Sequence, residues 1–73
     1  MSNTPAEYKN KTFFLLGLGS SGLAAFEFLN KAGATMLGWD EDPPMLEKSP
    51  DKIKPQNPTL FDWQGVDYLL ISS

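Results

Sequence analysis

The 73-residue chain contains no cysteine and no histidine. Without cysteine there is no disulfide and no thiolate metal site to brace a small core. Without histidine the commonest general base and the commonest metal ligand are both missing. No apolar run approaches the roughly 20 residues of a membrane-spanning helix. Residues 1–11 are polar and lack the apolar centre of a secretory leader. Positive charge is scarce as well: 6 Lys and Arg stand against 9 Asp and Glu, a net charge of −3. That balance argues against a nucleic-acid surface, and the lack of cysteine fits the cytosol. What remains is globular in character, with 41% hydrophobic and 12% aromatic residues. The length allows one small domain, and a core of this size is marginal without help. There is no internal repeat and no low-complexity tract.

The informative stretch is Phe13-Phe14-Leu15-Leu16-Gly17-Leu18-Gly19-Ser20-Ser21-Gly22-Leu23-Ala24-Ala25. It reads as a buried strand, a glycine turn and the opening of a helix. Gly17, Gly19 and Gly22 have the spacing G-x-G-x-x-G. In that pattern the first glycine turns the strand sharply and the second lets a phosphate approach the backbone. The third lets the helix pack closely on the strand. The first amides of a helix have no internal partners and lie at the positive end of its dipole, so they suit an anion. The alternative is a glycine turn that binds nothing.

Residues 1–10 are expected to be a frayed polar leader. The first strand, Lys11 to Leu16, is apolar on both faces, as in a parallel sheet covered on both sides. A helix is expected from Ser21 to Ala32, capped by Ser20 or Ser21 and stopped by Gly33 in the left-handed conformation. Glu27, Asn30 and Lys31 share one polar stripe, and the helix phenylalanines read as core. The second strand, Thr35 to Trp39, runs into Asp40-Glu41-Asp42-Pro43-Pro44, where the prolines should stop any regular element. Asp40 stands 18 residues beyond Gly22, where an acidic side chain at the strand's end can accept from a ribose or a base. Glu41 and Asp42 read equally well as a solvated turn.

Residues 45–58 read as a surface crossover with one short helical turn near Met45 to Lys48. Its Lys48, Lys52 and Lys54 fit a solvated face better than phosphate contacts. Leu60, Phe61 and Trp63 should close on the sheet, Gly65 should break that turn, and Val66 to Ser72 is the third strand. Right-handed crossovers give the spatial order 2-1-3. The fold class is therefore α/β: a Rossmann-like parallel sheet of three strands, read as the opening part of a longer domain. Its open edge predicts self-association of the isolated piece.

The segment Leu16 to Ala25 resembles the opening of the Mur ligase family of peptidoglycan synthesis, which reads roughly L-G-L-G-x-[ST]-G-x-[AS]. Lys31-Ala32-Gly33-Ala34 is similar to the end of the family's first helix, and Asp40 to the acidic residue closing its second strand. Asp62-Trp63-Gln64-Gly65-Val66-Asp67 and Leu69-Leu70-Ile71-Ser72 resemble the approach to its third strand, which usually continues S-P-G; here Ser73 stands in place of the proline. The chain lacks the longer G-x-G-G-x-G-M-S-G opening of the branch that adds L-alanine, which favours the branch that adds D-glutamate.

The resemblance implies a three-domain enzyme acting on UDP-N-acetylmuramoyl-L-alanine. ATP and Mg²⁺, bound outside this stretch, phosphorylate the substrate carboxylate, and the amine of D-glutamate then displaces the phosphate. It also implies that Gly19, Ser20, Ser21 and Gly22 hold the diphosphate, that Asp40 and Glu41 face the uridine, and that Ser72 lies near the same site. None of these is a catalytic or metal-binding residue. The residues themselves agree: Leu23, not lysine, follows the glycine turn, so there is no G-x-x-x-x-G-K-[ST] loop for ATP. Two other readings use the same turn and acidic residue: part of an NAD(P)- or FAD-dependent oxidoreductase, and a nucleotide-sensing domain without turnover. The serines of the turn and the Asp62 to Asp67 segment speak against the first.

Overall fold

The computed structural model describes residues 5–72. Four parallel strands, β1 (Thr12–Leu16), β2 (Thr35–Trp39), β3 (Ile53–Pro55) and β4 (Tyr68–Ile71), lie in the order β3-β2-β1-β4. The expected α/β class and the 2-1-3 order of the three anticipated strands are borne out. The extra strand, β3, sits at one edge beside β2. Its prolines masked it in the sequence, yet Pro55 ends an edge strand, where the missing amide costs no ladder bond. Ile53 is the reason it docks, being 2% exposed beneath β2 and α1.

Helix α1 (Ser20–Lys31) covers one face of the sheet. Phe13, Leu15, Leu18, Phe26, Leu29, Met36 and Ile53 form that core. Glu27, Asn30 and Lys31 are exposed, as their shared stripe requires. Of the two helix phenylalanines, Phe26 is buried and Phe28 is half-exposed. The helix ends as expected. Gly33 has φ +84°, its amide donates to Asn30 O at 3.1 Å, and the Ala34 amide donates to Leu29 O at 3.1 Å. This is the paired 5→2 and 6→1 closure of a Schellman turn.

Phe14 points to the opposite face, where the return from β3 to β4 crosses the sheet. Its ring lies 4.5 Å from Trp63 and 5.5 Å from Phe61, centroid to centroid. Leu60 does not join them and is 84% exposed. All four residues of β4 are exposed, because the strand is a sheet edge with little packed on either side.

Three expectations need correction. Residues 5–10 are not frayed: Pro5–Tyr8 forms a 3-10 turn, and the Tyr8 ring packs edge-on against Phe13, Phe28 and Tyr68 at 5.7, 6.1 and 6.5 Å. Residues 1–4 of the expected leader lie outside the described residues. Pro43 and Pro44 do not stop regular structure but start it, in α2 (Pro43–Lys48). At the first helical positions proline's fixed φ fits, and its missing amide would have no partner anyway. The third expected strand is shorter than Val66–Ser72.

Buried Ile53 and exposed Leu60 make a clean contrast. Ile53→Ala should destabilise the domain by about 2–5 kcal/mol, while Leu60→Ala should stay within about 0.5 kcal/mol of the parent. Urea denaturation of both variants measures the difference; equal midpoints would contradict the placement of β3.

Candidate functional site

The site forms where β1 ends. Connections run from β1 to β2 and β3 on one side, then back across to β4 on the other, so the order reverses between β1 and β4. In open α/β sheets the crevice at the carboxyl end of such a switch point is where ligands bind. Three backbones are tied together there. The Gly17 amide donates to Trp39 O at 2.8 Å, and the Ser72 amide donates to Leu16 O at 2.9 Å.

Two of the three glycines are required by packing. Gly17 has φ +100°, and a Cβ on it would lie 2.6 Å from the Ser72 carbonyl oxygen. A Cβ on Gly22 would run into the Gly17 carbonyl oxygen. Gly19 differs: its Cβ position meets only Met45 Cε, at 3.6 Å. The outer glycines thus build the turn, and the middle one leaves an open backbone face.

The helix cap is not the expected serine. Gly19 is the N-cap of α1, with φ −75° and ψ −162°, and its carbonyl accepts from the Leu23 amide at 2.9 Å. Ser20 and Ser21 lie inside the first turn, both exposed, and no side chain caps the helix. The tight path from Gly17 brings the chain into helical geometry one residue early. The first-turn amides therefore keep the positive end of the dipole without an internal anion.

Asp40 is spent differently from the expectation. Its Oδ2 accepts the Leu18 amide at 2.8 Å and its Oδ1 accepts the Asp42 amide at 2.8 Å. One carboxylate thus straps the end of β2 to the glycine turn and shapes the Asp40–Asp42 bend. The Leu18 amide, and then the Asp42 amide, hold the carboxyl below the ordinary aspartate value. Leu18 itself is buried, so its amide has no solvent to turn to.

A cavity of about 460 Å³ opens at this edge. Leu16, Trp39, Met45 and Ile71 make its apolar wall, and the backbone of Gly17 and Gly19 borders it. Asp40, Glu41 and Ser72 supply its polar groups. A smaller cavity of about 220 Å³ lies against the first turn of α1, lined by Ser21, Gly22, Ala25 and Ser72 among others. Ser72 borders both cavities; its hydroxyl is buried and has no hydrogen-bond partner among the described residues. Of the residues singled out in the sequence, Gly19, Asp40, Glu41 and Ser72 converge on the larger cavity and Ser21 and Gly22 on the smaller. Ser20 lines neither. Sequence reasoning missed Leu16, Trp39, Ile71 and Met45. The first three end their strands, which was a readable signal; Met45 depends on α2, which the prolines concealed.

The Asp40 strap has a pH signature. A carboxyl whose folded value is depressed adds its full stability above its unfolded value, about 4, and less between the two values, where the unfolded chain binds the extra proton. That contribution is lost as pH falls through the folded value. Asp40→Asn should therefore be less stable than the parent at neutral pH, and the gap should narrow as pH falls below about 4. Thermal melts across pH 2.5–7 check this (range chosen to bracket the ordinary carboxylate, roughly pH 4); a gap constant with pH would remove the strap.

No family model and no solved structure matches the chain. Curated relatives do. Over 70 residues, 92% of the chain, it is 30% identical to UDP-N-acetylmuramoylalanine–D-glutamate ligase of Wolbachia sp. subsp. Brugia malayi (strain TRS). It is 30% identical over 69 residues to the ligase of the same name from Wolbachia pipientis wMel. For that of Bartonella henselae the figures are 32% over 68 residues, 92% of the chain. The chain spans only 14% of the two Wolbachia ligases and 15% of the Bartonella one. Along nearly its whole length, then, this chain is similar to one short segment of these D-glutamate ligases.

Proposed function

We propose that this chain holds the uridine diphosphate end of UDP-N-acetylmuramoyl-L-alanine in an ATP-dependent ligase that joins D-glutamate to it during peptidoglycan synthesis. The observation that carries the reading is the cavity at the carboxyl ends of β1, β2 and β4, bordered by the open face of Gly19 and the uncapped start of α1. In this reading the diphosphate lies against Gly19, Ser20, Ser21 and Gly22, where amides and the helix dipole favour negative charge. The buried Ser72 hydroxyl gains in the ligand the partner it lacks. The uridine faces Asp40 and Glu41, with Asp40 acting first on the protein's own backbone.

The chain's contribution is positioning. It has no histidine or cysteine, and no group of three metal-binding side chains occurs among the described residues. ATP and Mg²⁺ do not fit the residues present, since Leu23 follows the glycine turn where a P-loop needs its lysine. The reading assigns them to an ATP-binding domain and a C-terminal domain beyond this one, in a cytoplasmic enzyme. Anchoring the nucleotide end lowers the entropic cost of presenting the distant carboxylate to those domains. No helix among the described residues is long and apolar enough to cross a membrane.

Calorimetric titration of the complete protein with UDP and with NAD tests the reading. UDP should bind and NAD should not; a preference for NAD would transfer the site to the dinucleotide enzymes. Ser72→Ala gives a second check. Removing a hydroxyl that has no partner should leave the melting temperature unchanged or raise it. The same change should weaken UDP about fivefold, the value of one hydrogen bond near 1 kcal/mol. A lower melting temperature with unchanged UDP affinity would make Ser72 structural only.

A further inference from the structure

At the amino end of β4, away from the cavity, Asp67 holds both backbone groups of Thr12, the first residue of β1. Its Oδ2 accepts the Thr12 amide at 2.8 Å, and its own amide donates to Thr12 O at 2.9 Å. In a regular parallel ladder the bonds slant, and those two groups go to two different residues of the neighbouring strand. Here one residue takes both. The chain turns just before, at Gly65 with φ +91°, and the Asp67 carboxylate stands in for a strand carbonyl at that end of the ladder.

Little else fixes β4 along β1. Register is specified mainly where one face of a strand is buried, and all four residues of β4 are exposed. Tyr68 stacks on Phe13 with centroids 4.8 Å apart, but offset stacking tolerates sliding. The ladder bonds between the two strands would form equally well in a slipped register. At the far end the fit leaves no slack. The Ser72 amide donates to Leu16 O at 2.9 Å, and the Ser72 carbonyl oxygen lies 2.6 Å from the place of a Gly17 Cβ. A slip of β4 would carry that carbonyl off Gly17 and the Ser72 hydroxyl out of its buried place.

We propose that Asp67 is a positioning residue for the nucleotide site: by clamping Thr12 it sets the register of β4 on β1, and so the place of Ser72 at the other end of the strand. Asp67 and Ser72 stand about 16 Å apart along the extended chain, so Asp67 acts through Ser72 and does not touch the ligand. The effect on nucleotide binding rests on the uridine diphosphate reading above; the effect on the strand does not.

Hydrogen exchange of the complete protein, followed by NMR, tests the clamp without any ligand. In the parent the Thr12 amide should be protected although its bond is exposed. Thr12 and Ser72 should exchange through one shared opening, as members of a single cooperative unit do. Asp67→Ala should speed exchange at Ser72 about fivefold, the value of one hydrogen bond. Asp67→Asn keeps an acceptor oxygen and should stay near the parent. A freely exchanging Thr12 amide in the parent would overturn the clamp, and this decides the matter if the alanine variant fails to fold. Unchanged exchange at Ser72 in Asp67→Ala would overturn it too.

Calorimetric titration with UDP supplies the second arm. Asp67→Ala should weaken UDP about fivefold, and Asp67→Asn should not. In a Ser72→Ala background, Asp67→Ala should weaken UDP no further, because sites this far apart add unless one acts through the other. Unchanged UDP affinity in Asp67→Ala, or full additivity with Ser72→Ala, would overturn the positioning role and leave the uridine reading standing. A parent that binds no UDP would overturn the uridine reading and the positioning role together, while the exchange results would still decide the register of β4.

Discussion

The structure depends on one steric constraint: the space where a side chain of Gly17 would stand is taken by the Ser72 carbonyl oxygen. At φ +100° the chain leaves β1, turns beneath β4 and enters α1 within three residues. Gly22 then lies on the Gly17 carbonyl, which brings the first turn of α1 directly against the strand ends. Strand, helix and edge strand thus meet at a point with no room for a methyl group. The crevice between β1 and β4 exists because those backbones approach that closely. Gly19, the glycine with free space, is the one left facing the crevice.

Around this point the polar groups divide the work. Asp40 uses its carboxylate on two backbone amides, so the turn and the acidic bend after β2 hold one another in place. Its charge is kept by those same bonds, and Glu41 beside it lines the same cavity. Ser72 brings a buried hydroxyl with no partner, which is costly unless a ligand supplies one. These groups border one cavity with an apolar wall. The relatives that the chain resembles are matched over only 14–15% of their own length.

Much of the fold was legible from local patterns. The unbroken apolar run Phe13–Leu16 declared a strand covered on both faces, Gly33 declared the helix stop, and the aromatic pair Phe61 and Trp63 declared a lid on the sheet. The errors cluster where proline carries opposite meanings in different contexts. Pro43 and Pro44 were legible as breakers, yet proline is equally at home in a helix's first turn, as in α2. Pro55 hid β3, because whether a strand tolerates proline depends on being at an edge, and edges are a property of the sheet. Tyr8 looked like part of a polar tail because its three aromatic partners lie far away in sequence.

The sequence by itself determined the α/β class, the order of the central strands and the glycine turn. These follow from short-range spacing and composition, which survive without coordinates. Only the tertiary structure decided what each polar group does with its hydrogen bonds. Spacing put Asp40 at the end of β2, but only the fold brought the Leu18 amide to within 2.8 Å of it, across 22 residues, and gave it the work of a strap. Spacing put Leu16, Trp39 and Ile71 at three strand ends, but the parallel register laid them side by side as one surface. Long-range approach of backbones sets both outcomes, and a linear pattern records which residues are available, not which of them meet.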